Sequence, residues 1–298
     1  MINNISDIVN TKIYKDRDLS KDQKKFLAKN GYLLLEPNKI FWEWIGAKPK
    51  DLRSIMDSIL TKEGIKAGSE GKEEFTIKKS KTIEPAANRI GNLLDKNEIL
   101  KNIATLPEIV LGAFEIIKDE IKLSSILFRE PKKNSGEQDL HIDWIPRANL
   151  EEKFKSVVTF LYLNDSNKNN GATKIVPRSH LKLSYPDKYI NPKLPSEKEI
   201  TIEAKEGSIL ILNSLIWHRG GENLTGDKRG IIVTEYRQRA LKQLLNLKKY
   251  VSQDMKKNMS ETEKYLFGLR DNDSNQKEDS AGPGDHYRNW LKQNNINR

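Results

Sequence analysis

From about residue 121 to residue 237 the chain falls into short apolar runs separated by Gly, Asn, Pro and Lys, and that texture limits the fold more than any other feature. The clearest runs are Ser124 to Phe128, Asp139 to Asp143, Ser156 to Leu163, Thr173 to Val176, Ser208 to Leu212 and Gly230 to Tyr236. Runs of this length between turn formers read as β-strands. A strand hides its apolar face only against a second layer, so many short strands in succession predict two facing antiparallel sheets. No internal repeat and no strand–helix alternation is present, which argues against a doubly wound parallel sheet. The expected class is α+β, with a double-stranded β-helix (jelly-roll) core buttressed by N-terminal and C-terminal helices.

The flanks supply those helices. Ser20 followed by Gln23 fits a capping box for a helix over 21 to 29, and Asn30-Gly31 offers a left-handed stop before a short strand from Tyr32 to Leu35. Pro49 suits the first turn of a helix carrying Leu52, Ile55, Met56 and Leu60 at helical spacing, closed by Gly64. The charged stretch 65 to 83 reads as loop or edge strand, and 92 to 104 and 107 to 118 carry helix periodicity. Beyond 240 the chain is helical and highly charged. The segment 271 to 285 reads as a mobile loop, and Tyr287, Trp290 and Leu291 share a helical face that docks back.

Composition narrows the chemistry. Cysteine is absent, which removes disulfides, thiolate metal sites and cysteine nucleophiles together. Any transition metal must use His, Asp or Glu, and the histidines are only His141, His180, His218 and His286. The net charge of +10 invites a nucleic-acid reading, but the lysines are spread through every segment rather than gathered on one face. That dispersion suits a lysine-rich proteome better, while a basic surface could still help draw in an anionic small-molecule substrate. No apolar run approaches the roughly 18 residues of a membrane span, and the opening MINNISDIVN lacks the pattern of a secretory signal, so a cytoplasmic location is expected.

Three pieces carry the chemistry. In EQDLHIDW, His141 and Asp143 stand two apart on an expected strand, which aims an imidazole and a carboxylate to one face. In ILILNSLIWHRGGEN, His218 closes an apolar run before a Gly-Gly turn. Together they make two His and one carboxylate, the facial set that leaves open positions on Fe(II). Arg229 stands eleven residues after His218, and alternation puts it on the face of Ile231 and Val233. A guanidinium facing inward needs an anionic partner. Each piece also has a plainer reading: a surface pair, a hydrogen-bonded core histidine, and a strand-end arginine reaching solvent.

With these residues in view, the chain resembles the phytanoyl-CoA dioxygenase family over roughly residues 20 to 270. The resemblance rests on Gln138, His141 and Asp143, on NNGATKIVPRSH from Asn169 to His180, and on His218, Asn223 and Arg229 at the family's spacing. It implies that His141, Asp143 and His218 bind Fe(II) and that Arg229 binds the co-substrate 2-oxoglutarate, with Gln138 and Thr173 lining the same pocket. The implied reaction turns 2-oxoglutarate and O2 into succinate and CO2 while hydroxylating a C–H bond of a small molecule. Related halogenases have a small residue in place of the carboxylate, so Asp143 favours hydroxylation.

The whole chain, 1–298, is then one catalytic domain: a mainly helical part to 120, a cupin-like core over 121–238, and a charged helical extension over 239–298. Trp144, Arg147, Arg178 and Trp217 are candidates to line a substrate cavity, and loops 131 to 137 and 164 to 170 are candidate lids. His180 reads as structural and His286 as solvated. Arg178 stands where the family often has Gly, and Gly220 where some members carry a hydroxyl residue near the co-substrate. Two rivals come from other classes: a cupin-type metal-binding isomerase or sugar-binding jelly roll, which needs no Arg229, and a basic nucleic-acid-binding module, which needs a clustered cationic face.

Overall fold

Nine strands and the helices around them are described by a computed structural model over residues 2–64, 67 and 87–272. In chain order the strands are β1 (Tyr32–Leu35), β2 (Ala87–Ile90), β3 (Ile121–Pro131), β4 (Ser156–Tyr162), β5 (Thr173–Val176), β6 (Ile200–Thr201), β7 (Ile209–Asn213), β8 (Trp217–Gly220) and β9 (Ile231–Gln238). Six of them form one antiparallel sheet in the order β1-β7-β4-β9-β3-β2, and β6-β5-β8 form a smaller one. This is the two-layer jelly roll that the run of short strands predicts.

Alternation along β4 shows how the large sheet is wedged between two cores. Val157 and Leu161 join the cluster that includes Ile109 and Val110 of the helix Pro107–Ile117, while Val158, Phe160 and Tyr162 join Ile175, Leu210 and Ile231 between the sheets. Because both faces are covered, all seven β4 residues are buried and the strand reads as a continuous apolar run. Each fully buried Leu, Ile or Phe contributes roughly 1.5–3 kcal/mol relative to exposure.

The N-terminal helix Lys21–Asn30 starts at the expected capping box, with Ser20 Oγ and Gln23 both engaged, and stops at Gly31 in the left-handed region, φ 81°. Its end is also a junction between layers. Arg178 N–H donates to Asn30 O at 2.9 Å, Asn213 N–H donates to Gly31 O at 2.9 Å, and His180 Nε2 meets Ala28 O at 3.2 Å. A Cβ on Gly31 would fall 2.4 Å from His180 Nδ1, so both the backbone angle and the space demand glycine there.

Several expectations need correction. The helix expected over 92 to 104 is a 3-10 turn, Leu93–Asp95, followed by a helix only over Leu100–Ala104. Asn92 sits in the left-handed region at φ 49°, and Asn97 Oδ1 accepts from Ile99 N–H, so the polar residues break and restart the coil. Asp139 to Asp143 is not a strand. His141 makes one antiparallel bridge with His218, after which Asp143 N–H goes to Ser214 O at 2.8 Å. His218 does not close the apolar run either: a tight turn after Asn213 separates β7 from β8, which belongs to the other sheet. The strands β2 and β6 and the helix Lys39–Ile45 were not anticipated.

Apart from Ala67, Asp271 and Asn272, the expectations for 65 to 83 and 271 to 285, the docking of Tyr287, Trp290 and Leu291, and the solvation of His286 lie outside the described residues. Among the described residues no helix is long and apolar enough to cross a membrane.

Candidate metal centre and its cavity

His141 and His218 meet as bridge partners, and Asp143 returns to the same point two residues on. Asp143 Oδ2 is 3.3 Å from His218 Nε2 and Oδ1 is 3.7 Å from His141 Nε2. One ligand atom from each of the three lies within 4.8 Å of the others, the spacing a single cation can bridge.

The backbone sets the imidazoles. His141 Nδ1 lies 2.8 Å from Asp139 O and His218 Nδ1 lies 3.0 Å from Ile216 O. A carbonyl only accepts, so in each neutral ring Nδ1 carries the proton and Nε2 keeps its lone pair toward the cluster. Without a cation the three groups divide the charge unequally. Burial, helped by His218, lowers His141 to about 4, so it is neutral at ordinary pH. Burial pushes the Asp143 carboxyl up, but the imidazoles, His218 foremost, outweigh it and hold the group at about 2. His218 shows the converse: burial works against its charged form and the Asp143 carboxylate more than restores it.

These three open into a cavity of about 460 Å³ between the sheets, which Gln138, Thr173 and Arg229 also line. Gln138 Oε1 accepts from Gly220 N–H at 3.1 Å. Arg229 precedes β9 rather than starting it, and it is wholly buried on the same wall as Ile231 and Val233, as alternation predicts. Its Nη2 donates to Gly171 O, while among the described residues Nε and Nη1 have no partner. Burial lowers its pKa, Tyr162 works the other way, and among the described residues no carboxylate opposes the effect. A buried cation left this way fits an anionic ligand, and two imidazoles with a carboxylate fit a divalent transition metal.

At the cavity's other end Glu235 Oε1 accepts from Ser156 Oγ at 3.1 Å and from Arg237 Nε at 2.6 Å. The structure does not bring Trp144, Arg147, Arg178 or Trp217 into the cavity wall. Trp144 packs under the Arg237 guanidinium, 4.6 Å from its ring centroid. Trp217 lies against Tyr189, and Arg147 is spent on Leu150 O and Glu152 O. Arg178 adopts φ 68° at the corner before Ser179, a conformation that explains why glycine suits this position. The expected lids are stitched down, by Asn134 N–H to Asn223 O at 2.6 Å and Ser166 N–H to Ala204 O at 2.7 Å. His180 is buried away from the cluster, in keeping with a structural role.

Sequence reasoning passed over Arg129, which lines the cavity beside these groups. The available signal was its place two residues after Leu127 and four after Ser125, on one face of a buried strand.

Comparison with known proteins gives the same frame. The family model for phytanoyl-CoA dioxygenase (PhyH) matches residues 27–231. The curated "Dioxygenase af480" of Aspergillus fumigatus is 24% identical over 208 residues, covering 68% of this chain and 66% of that relative's length. HygX from Streptomyces hygroscopicus, solved with nickel and 2-oxoglutarate bound, superposes with a TM-score of 0.57 at 15% identity, covering 76% of this chain and 90% of HygX. SnoK, a non-heme alpha-ketoglutarate-dependent carbocyclase from nogalamycin biosynthesis, gives 0.54 at 15% identity, with 75% and 85% covered. At such identities the two structures speak for the jelly-roll fold. With more than half of its length matched by the family model, this chain belongs to the phytanoyl-CoA dioxygenase (PhyH) family.

Proposed function

We propose that this protein hydroxylates a C–H bond of a small molecule, with Fe(II) held by His141, Asp143 and His218 and 2-oxoglutarate anchored by Arg229. The observation that carries the reading is the opening of one cavity onto both a His-Asp-His cluster and a wholly buried guanidinium with two unpartnered nitrogens. When bound, Fe(II) supplies the coupling of O2 and 2-oxo acid decarboxylation to substrate oxidation. The chain's own residues do the rest. Asp139 O and Ile216 O orient the two Nε2 atoms, and Asp143 stays ionised to bind. Arg229 holds the distal carboxylate, with Gln138 and Thr173 lining that pocket, while Phe160, Ile231 and Val233 exclude water from the reacting atoms.

Relatives described with 2-oxoglutarate, or as dependent on it, support the same co-substrate here. An anionic primary substrate is the finer reading, supported by the net charge of +10 and by Arg89 on the cavity wall. The cupin-type isomerase would leave Arg229 without a use, and the nucleic-acid module needs cations turned outward rather than into a cavity.

The direct test is anaerobic titration of the Fe(II) protein with 2-oxoglutarate. A visible charge-transfer band that saturates, and its loss in Arg229→Gln at the same concentrations, is the expected result. A colourless titration of iron-loaded wild type would exclude the reading.

A further inference from the structure

Arg229 is not the only uncommitted guanidinium in the cavity. Arg129 projects from β3 on the cavity face, in register with Ile231 of β9, so it stands diagonally across from Arg229. It is buried, and among the described residues its Nε has no hydrogen-bond partner. Nη2 donates to Gly136 O at 3.0 Å. The adjacent carboxylate, Glu130, is taken by Arg53, and among the described residues Arg129 forms no ion pair. Burial first, then the like charges of Arg229 and Arg89, pull its pKa down to about 9. Two buried cations therefore share one end of a cavity, and among the described residues no carboxylate lies between them.

Gly220 explains how the second one reaches the cavity floor. A Cβ at this position would lie 2.9 Å from Gln138 Oε1, 3.0 Å from Gly136 O and 3.2 Å from Arg129 Nη1. Its backbone is not in the left-handed region, so it is space that a side chain would lack. Gly220 is two residues after His218 on β8 and pairs with Thr173 of β5, while Arg229 holds Gly171 just before β5. Nη1 of Arg129 thus enters beside the floor that lies between the His-Asp-His cluster and Arg229.

We propose that Arg129 is a second guanidinium anchor for the distal carboxylate of the 2-oxo acid, admitted to the pocket by the missing side chain of Gly220. This rests on the reading of the cavity as a 2-oxoglutarate site. A strut for the loop at Gly136 accounts for one N–H of Arg129 but leaves Nε and the second positive charge unexplained. One carboxylate shared by two guanidinium groups answers both charges with one ligand.

The test compares two chelating acids on the Fe(II) protein without O2: 2-oxoglutarate, and pyruvate, which keeps the 2-oxo acid and lacks the distal carboxylate. Dissociation constants come from the charge-transfer band or from calorimetry. Arg129→Gln should weaken 2-oxoglutarate by about ten- to a hundredfold and leave pyruvate unchanged, with Arg129→Lys in between. Gly220→Ala, which displaces Nη1, should weaken 2-oxoglutarate selectively as well. Should Arg129→Gln fail to fold, the lysine and alanine variants carry the same comparison. Unchanged 2-oxoglutarate affinity, or equal weakening of both acids, would overturn the assignment and leave Arg129 as a strut. No response of wild type to 2-oxoglutarate would instead sink the co-substrate reading itself.

Discussion

Every residue of β4 and β7 is buried in an unbroken antiparallel ladder, whereas the segment carrying His141 makes one bridge to β8 and then turns away. The contrast separates two jobs. In the large sheet, regular alternation sends Ser125, Leu127 and Arg129 of β3 and Ile231, Val233 and Glu235 of β9 to one wall, so the wall's chemistry follows from register. On the opposite side the ladder is broken, and the break is useful. In a continued ladder Ile216 O would accept the Asp143 N–H; instead that amide goes to Ser214 O, and Ile216 O is left to fix the His218 ring.

If the irregular side holds the metal, loss of one of its side chains should be felt in turnover before anything else. Asp143→Ala should cut Fe(II)-dependent succinate formation by more than about a thousandfold per folded molecule. Succinate at the wild-type rate would break the assignment. On the large-sheet side, Arg229→Gln should raise the KM for 2-oxoglutarate on the order of a hundredfold, with bound iron unchanged by metal analysis. A rise confined to the primary substrate's KM would move Arg229 out of the co-substrate pocket.

Leu161→Ala probes the same sheet from its helix-facing side. It should cost about 2–5 kcal/mol in urea unfolding, yet leave succinate formation per folded molecule intact. Loss of turnover in the folded variant would mean that the ladder's two faces are coupled.

The smallest effect concerns His180, the buried histidine outside the cluster. Burial lowers its pKa to about 4, below the 6.5 of an unfolded chain, so the unfolded form takes up the proton first. Its stabilising contribution is complete above about pH 6.5 and is lost as pH falls toward 4. His180→Asn should therefore flatten the acid limb of stability against pH by about 1–3 kcal/mol. Parallel curves for variant and wild type would show that the ring is not held neutral.

What could be read from sequence was what depends on near neighbours. Ser20 with Gln23, Pro49, and the alternation of β3, β4, β7 and β9 are local signals, and the spacings from His141 to Asp143 and from His218 to Arg229 belong to single segments. Arg129 escaped because its meaning comes from pairing with β9, about a hundred residues away in the chain. Trp144 leaves the cavity wall because the backbone quits the ladder at Asp143, and Trp217 because it alternates with His218 along β8. The break at Asn92 turned on a left-handed backbone angle that periodicity does not register.

The junction at Gly31 has a consequence for the reach of the N-terminal third. Asn30, Gly31 and Ala28 take hydrogen bonds from Arg178, Asn213 and the His180 ring, at the corner after β5 and the hinge between β7 and β8. Ser179 Oγ in turn accepts from Trp217 N–H at 2.7 Å, one residue before His218. Trimming the protein to its barrel would therefore slacken the very strand that carries His218, and a clip upstream of Tyr32 should be felt first as weaker retention of added Fe(II).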